Sequence, residues 1–446
     1  MQKLRGVFVP MAAILFAFAA NANSQTCPTA GCLDASFGSG GVTLTSINYN
    51  TSNNYALASA LQPDGKIITA VQGYNYPAGT GQDFYVQRYL PDGSLDPNFG
   101  TYGSGGVTRI TFTAAYDNEI PSAIAVQADG KIVVAGTAIG FAIARLNSDG
   151  TIDNTFGTGG MVSFRFASND GAKLESMALQ ADGRVVLLGT SSDKFAFARL
   201  MPSGAFDTSF NGSGKVTIST VSNKNGGSGR AVAIQGDGKI VGVGSRPTIS
   251  GKVSTGGDFA VMRLHPNGTL DSGFGSGGKV FTDFVGLEDR ARSVAIDING
   301  RLVVGGSAKV GSALGRADVG FYRYAAVRYN QNGTLDTTFG NSGKVTAGPA
   351  GYREQIDGLA IQLDGKIVAV GNMQDPDQIV NDATVLRFNP DGTLDATFGA
   401  NGNGLVQSGV AGNDASPAVL LQPDGKIVTA GFQSNGDFVC VARFLP

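Results

Sequence analysis

The chain has no tryptophan, a single histidine (His265) and three cysteines in 446 residues, and only 15% of its residues are charged. One histidine and scattered cysteines exclude a His/Cys zinc cluster. A formal net charge of −2 excludes the basic footprint of a nucleic-acid or membrane-surface protein. No stretch of ten residues keeps a 3.6-residue apolar period, which excludes a helical architecture. What is abundant is glycine, 66 residues, about twice ordinary usage. The hydrophobic share, 42%, is enough for a large core and is not a disordered composition.

The first 22 residues read as a secretory signal. Lys3 and Arg5 give a positive start, Gly6–Ala20 is an apolar run too short and alanine-rich for a membrane span, and Ala20-Asn21-Ala22 is a small-x-small cleavage site. The expected division is signal peptide 1–22, a short segment 23–32, and one repeat domain 33–446. No second hydrophobic segment follows, so the mature protein is expected to be secreted, without a membrane span. Export permits disulfides, and Cys27 and Cys32, five apart, are the candidate pair.

The mature chain repeats one unit seven times. A Leu-Asp-x-x-Phe-Gly signature starts at Leu33, Leu95, Ile152, Phe206, Leu270, Leu335 and Leu394, at intervals of 54 to 65 residues. A Gln-x-Asp-Gly-Lys signature starts at Gln62, Gln127, Gln180, Gln235, Gln362 and Gln422, and degrades to Asp297–Arg301 in the fifth unit. An apolar run ending in arginine supplies Arg88, Arg145, Arg199, Arg263, Arg328, Arg387 and Arg443. Within a unit the apolar pattern has the strand period. The second unit predicts strands at Val107–Phe112, Ser122–Gln127, Lys131–Gly136 and Phe141–Leu146. Four strands in each of seven units predict 28 strands.

The loops have their own chemistry. Gln62-Pro63-Asp64-Gly65-Lys66 and Leu90-Pro91-Asp92-Gly93-Ser94 suit three-residue hairpin loops, with glycine at the left-handed position. Counting outward from the second loop sets Arg88 opposite Asp96. The same count pairs Arg145 with Asp153, Arg263 with Asp271, Arg328 with Asp336 and Arg387 with Asp395. These are expected to be structural cross-strand ion pairs, each worth ~0.2–1 kcal/mol.

Four strands cannot bury both faces of a sheet, so the units must pack on one another. About sixty residues suit a four-stranded propeller blade. The chain ends at Arg443-Phe444-Leu445-Pro446, which matches Arg88-Tyr89-Leu90-Pro91. Ala30-Gly31-Cys32-Leu33 resumes in the same phase. The expected fold is an all-β, seven-bladed β-propeller of about four antiparallel strands per blade, closed by pairing of the N- and C-terminal segments, which removes an exposed edge. Cys440 takes a slot held elsewhere by Tyr85, Ala142, Ala196, Ala260, Ala325 and Thr384, mostly small core residues. A buried thiol is the favoured reading, and a closure disulfide to Cys27 or Cys32 the alternative.

Stretches such as Gln422-Pro423-Asp424-Gly425-Lys426-Ile427-Val428 and Asn389-Pro390-Asp391-Gly392-Thr393-Leu394-Asp395-Ala396-Thr397-Phe398-Gly399 resemble the delta-60 repeat of secreted bacterial proteins. The resemblance covers Leu33 to Pro446. It implies a propeller-like exported repeat protein and brings no catalytic residues.

Antiparallel strands put the uniform Asp-Gly turns on one face and the variable connections on the other, which is how a scaffold carries a site. The candidate binding residues there are Tyr74, Tyr76, Tyr116, Asp117, Glu288, Asp289, Arg290, Tyr352, Arg353 and Glu354. Tyrosine with arginine and acids suits a protein or glycan surface. The expectation is an exported, monomeric, non-catalytic scaffold that binds a protein or glycan and needs no cofactor or metal. The alternatives are a propeller hydrolase or lyase, with Glu288, Asp289 and Glu354 as the acids to inspect at the channel mouth, and a purely structural surface protein.

Overall fold

The structure, a computed structural model, describes residues 29–47, 54–74, 81–102, 105–113, 117–168, 170–221, 226–250, 253–313, 316–375, 381–407, 415–433 and 437–446. The expected signal segment, Cys27, Tyr76 and Tyr116 lie outside the described residues. The described residues form 29 strands and no helix.

The strands fall into seven antiparallel groups of four. Tyr55–Leu61, Ile67–Tyr74, Gly81–Tyr89 and Val107–Ile110 form the first such group, in that order. The one strand beyond the expected 28 is Asp117–Asn118, a two-residue piece lying parallel to Gly81–Gln82. The fifth and sixth groups are joined by a single parallel pairing of Tyr322 with Arg353. Sheets are out of phase with the sequence unit by one strand. Val107–Ile110, which the unit groups with the strands after it, pairs instead with Gly81–Tyr89 before it.

Burial follows position. The middle strands are apolar and covered on both faces, so Gly140–Leu146 is buried at every residue. Its outer neighbour Met161–Phe164 is only half covered. The cores lie between neighbouring groups: Ile68 and Phe84 of the first pack with Ile132 and Ala142 of the second. Val428, Val439 and Val441 near the end of the chain share a core with Ile67, Val71 and Tyr85 near its start. The first strands touch in succession, Tyr55–Leu61 to Ile120–Val126 and on to Ala415–Leu421, which in turn touches Tyr55–Leu61.

The two chain ends make one sheet. Val42–Thr45 pairs with Phe438–Phe444, Val42 opposite Ala442 and Leu44 opposite Cys440, and Leu33 bridges Phe444. Gly31 N–H donates to Leu445 O (3.0 Å), Leu445 N–H to Cys32 O (2.8 Å) and Asp34 N–H to Arg443 O (2.8 Å). Those bonds match the continuous turn in which Gly93 N–H donates to Leu90 O, Leu90 N–H to Ser94 O and Asp96 N–H to Arg88 O. Cys32 is disulfide-bonded, while Cys440 is a half-buried thiol. No disulfide to Cys440 closes the sheet, and Cys440 is less covered than a core slot implies.

The repeated arginine is a hub. Arg88, Arg145, Arg263, Arg328 and Arg387 donate through Nε to Asp96, Asp153, Asp271, Asp336 and Asp395 at 2.6–2.9 Å. Arg199–Asp207 and Arg443–Asp34 do the same at 2.8 Å. Each guanidinium also lies over the phenylalanine of the signature, 4.4–5.0 Å from its centroid. Six of the seven send Nη1 to a turn carbonyl of the next group, such as Arg145 to Pro202 O at 2.5 Å. One side chain thus pins the turn, a ring and the adjoining sheet. Gly93 is needed in that turn twice over: its φ is +89°, and a Cβ would lie 2.9 Å from the Phe37 ring.

Candidate functional site

Each first strand carries a β-bulge at the same place. The register skips Leu57, Ser122, Glu175, Arg230, Arg292 and Asp357 in the first six groups, and passes Ser416 and Pro417 in the seventh. In the second to sixth groups the partner strand makes room with glycine. A Cβ on Gly244 would lie 1.8 Å from Ser228 O, and one on Gly306 1.9 Å from Arg290 O. A bulge re-aims the side chain it adds, and here four consecutive groups add charge. Arg230 Nη1 reaches Glu175 Oε1 at 2.8 Å, and Arg292 stands 3.6 Å from Asp357. The Nε of Arg292 is buried without a hydrogen-bond partner among the described residues.

Two cavities open beside this arc. The larger, about 430 Å³, is lined by Arg230, Arg246, Arg290 and Arg292 with Asp193, Glu288 and Asp289. The smaller, about 300 Å³, is lined by Arg290, Lys309, Tyr322 and Arg353, and by neutral hydrogen-bonding groups including Gln355, Asn372 and Gln374. Arg290 is common to both. The longest hairpins, Ile240–Ser250 with Val253–Leu264 and Leu302–Ala313 with Arg316–Tyr329, contribute residues to them. The matching hairpin of the third group has only seven residues per strand.

The sequence candidates divide. Arg290 Nε and Nη2 donate to Glu288 Oε1 at 2.8 and 2.6 Å, and the Tyr322 hydroxyl donates to Glu288 Oε2 at 2.8 Å. Burial would raise the Glu288 pKa, but these donors hold it below the usual value. Arg353 lines the smaller cavity, and Tyr352 accepts the Tyr322 N–H through its carbonyl. Tyr74 and Asp117 belong to the first group and its outgoing crossover, away from both cavities.

Asp289 and Glu354 are not a convergent acid pair. They occupy one repeat position, eight residues before the hairpin signature, with Glu119 as a third member. Glu119 and Asp289 fasten the crossover loop that leads to them, and Glu354 fastens the strand Arg316–Tyr329 of the preceding group. Asp289 accepts the Phe284 N–H (2.8 Å), Glu354 the Tyr324 N–H (3.2 Å), and Glu119 the Phe112 and Thr113 N–H groups (2.9 Å each). The other oxygen of each is buried without a partner among the described residues. Burial raises their pKa to about 7 for Glu119 and Asp289 and about 8 for Glu354. Among the described residues no cluster of three or more His, Cys, Asp or Glu is placed to hold a metal.

This arrangement dictates a pH profile. A folded-state pKa raised above the unfolded value stabilises the fold below the ordinary carboxylate range, and that contribution is lost as pH rises through about 7 to 8. Asp34 and Asp336 act oppositely. Burial alone would raise them, but hydroxyl and arginine partners, with Lys426 in addition at Asp34, hold both at about 2, so their contribution is lost as pH falls below 3.8. Each pH unit of displacement is worth ~1.4 kcal/mol, so the three buried acids together cost several kcal/mol at alkaline pH. The melting temperature should therefore peak near pH 4–5 and be clearly lower at pH 8.5, and Glu354→Gln should flatten the alkaline side. A melting temperature that rises steadily to pH 8.5 would contradict this assignment.

The sequence matches the β-propeller domain of unknown function DUF5122 six times, at residues 62–99, 127–156, 180–210, 235–274, 299–339 and 362–398. It matches no curated protein at a significant level. Among solved structures, a polysaccharide lyase of family 25, an ulvan lyase bound to a glucuronate–sulfated rhamnose unit, superposes with a TM-score of 0.52 at 13% identity, over 89% of this chain and 95% of that one. A catalytically inactive virginiamycin B lyase from Staphylococcus aureus with quinupristin superposes with a TM-score of 0.47 at 10% identity, over 91% and 100%. At such identities the likeness is one of fold.

Proposed function

We propose that this β-propeller repeat protein is an exported, monomeric, closed ring of seven blades that binds a protein or glycan at the face bearing its long hairpins. The ring is supported by the turn bonds rebuilt between Gly31–Asp34 and Arg443–Leu445, and by the core shared between the last and first groups. Export is supported by the signal-like start at Met1–Ala22. The binding reading is carried by one observation. Both cavities lie where the inserted hairpins leave the repeat pattern, at the opposite strand ends from the uniform Asp-Gly turns. Variable loops on a rigid repeat are where ligand sites are placed. Replacing residues 248–256 with a tight turn should cost at least tenfold in affinity for the ligand found on a glycan array or in a secreted-protein panel, with the melting temperature kept. Undiminished binding would contradict this placement.

A catalytic second reading is favoured by the network of Tyr322, Glu288 and Arg290, which puts a proton donor, a carboxylate and a cation on one cavity wall. Polysaccharide cleavage by the protein that is lost in Tyr322→Phe would establish it.

A further inference from the structure

The two cavities hold information about the charge of their ligand. At the bulge position the first groups carry Leu57 and Ser122, and the next four carry Glu175, Arg230, Arg292 and Asp357. The two central residues are arginines on adjacent inner strands. Burial first, and then the nearby charges of Arg230 and Arg290, lower the tendency of Arg292 to stay charged. The carboxylate partners of Arg230 and Arg292, Glu175 and Asp357, stand on the strands to either side. A guanidinium has five donors. The Nε of Arg292 has no partner among the described residues, and neither does the Nε of Arg353 in the second cavity. Of the acids in the larger cavity, Asp289 is turned to the Phe284 N–H, Glu288 is taken up by Arg290 and Tyr322, and Asp193 remains on the wall.

The second cavity is of another kind. Ser307, Gln355, Asn372 and Gln374 present amides and a hydroxyl, with Tyr322 as the aromatic wall and Arg353 and Lys309 as cations; the one acid, Glu354, is turned to the Tyr324 N–H and Arg323. Such a lining matches vicinal hydroxyls and does not suit an apolar ligand, whose pockets are mostly hydrophobic. Guanidinium forks match the planar carboxylate and the sulfate group. Arg290 lines both cavities, so the two are neighbours.

We propose that these two neighbouring cavities together bind an acidic oligosaccharide, with its carboxylate or sulfate groups held by Arg230, Arg292 and Arg290 and its hydroxyls by Asn372, Gln374 and Gln355. The assignment rests on the ligand-binding reading above and narrows it to one chemistry.

The test is calorimetric titration of the mature protein with four probes: an oligogalacturonate (carboxylate only), a heparin hexasaccharide (sulfate and carboxylate), maltohexaose (neutral) and inorganic sulfate. An acidic oligosaccharide should bind at least tenfold tighter than maltohexaose and tighter than sulfate, with affinity falling as salt rises. The galacturonate and heparin arms tell which anionic group is preferred. Arg230→Gln and Arg292→Gln should each weaken that binding at least tenfold, while Arg165→Gln, an exposed arginine outside both cavities, should not. Arg292 faces Asp357, so its variant is made with and without Asp357→Asn in the same chain; Arg230, whose side chain is 40% exposed, serves as the independent variant. Equal binding of neutral and acidic probes, or indifference to both arginine variants, overturns the proposal. A neutral glycan lost on hairpin trimming but indifferent to arginine would overturn it while leaving the broader reading intact. No binding to any oligosaccharide overturns it as well, and a protein ligand lost on trimming would then be the surviving form of the broader reading.

Discussion

Arg263→Ala should cost the fold about 3–5 kcal/mol, the range for removing one member of a buried ion pair. Exposed pairs are worth far less, but this side chain is 5% exposed and its partner Asp271 is equally covered. The guanidinium donates to Asp271 at 2.7 Å and to the Gln331 carbonyl, and lies 4.5 Å over the Phe274 ring. Alanine therefore removes the pair, unties the next group's turn and uncovers a ring. Asp271 keeps Lys239 at 3.3 Å, which sets the loss toward the lower half of that range. Arg263→Lys retains the charge without the planar fork and should fall between wild type and alanine. Urea unfolding of the three proteins measures the order. A loss below about 1 kcal/mol for alanine would mean that the hub is a surface pair in disguise.

A larger loss is expected at the junction of the chain ends. Deleting residues up to Ser46 removes Asp34, which holds Arg443 at 2.8 Å, and Phe37, which is fully buried beneath that arginine. It also strips Val42–Thr45 from Phe438–Phe444 and leaves an unpaired edge. The broken ion pair alone is worth about 3–5 kcal/mol, and the lost phenylalanine about as much again. Their sum rivals the whole stability of an ordinary domain, ~5–15 kcal/mol. The deleted protein should be largely unfolded or aggregated at 25 °C by circular dichroism, whereas a chain starting at Thr29 should melt cooperatively. Equal melting of the two would show that the ends contribute little.

The turns were legible because their chemistry is local. Asp-Gly loops fix the hairpin, and the hairpin fixes which arginine faces which aspartate, so five pairs follow from counting. The same count yields Arg199–Asp207 once Phe206 is accepted in place of leucine. Arg443–Asp34 spans the two chain ends and is visible only when the ring is assumed. Sheet membership was less legible. A strand's partner depends on where the chain returns after the Phe99-type loop, and repeat phase does not encode that. The inner arginines were missed for a physical reason. Pattern reading assumes strict alternation, and a bulge inserts one residue and re-aims the side chain. The available signal was composition at one repeat position, where Leu57 and Ser122 give way to Glu175, Arg230, Arg292 and Asp357. Asp289 and Glu354 drew attention as acids in variable connections. They serve backbone N–H groups, Asp289 that of Phe284 in the connection and Glu354 that of Tyr324 in a strand, and only the third copy, Glu119, makes that role plain.

The claim on which the architecture depends is that the N-terminal segment completes the sheet of the C-terminal strand. Leu44 and Cys440 are direct partners in that pairing, and opposed residues on antiparallel strands lie ~4.5–5.5 Å apart at Cα, within disulfide reach. In a Leu44→Cys protein, mild oxidation should join residue 44 to Cys440, seen as a loss of two mass units and a cross-linked peptide in mass spectrometry. Recovery of both thiols unlinked from folded, oxidised protein would place the chain ends apart and contradict the ring.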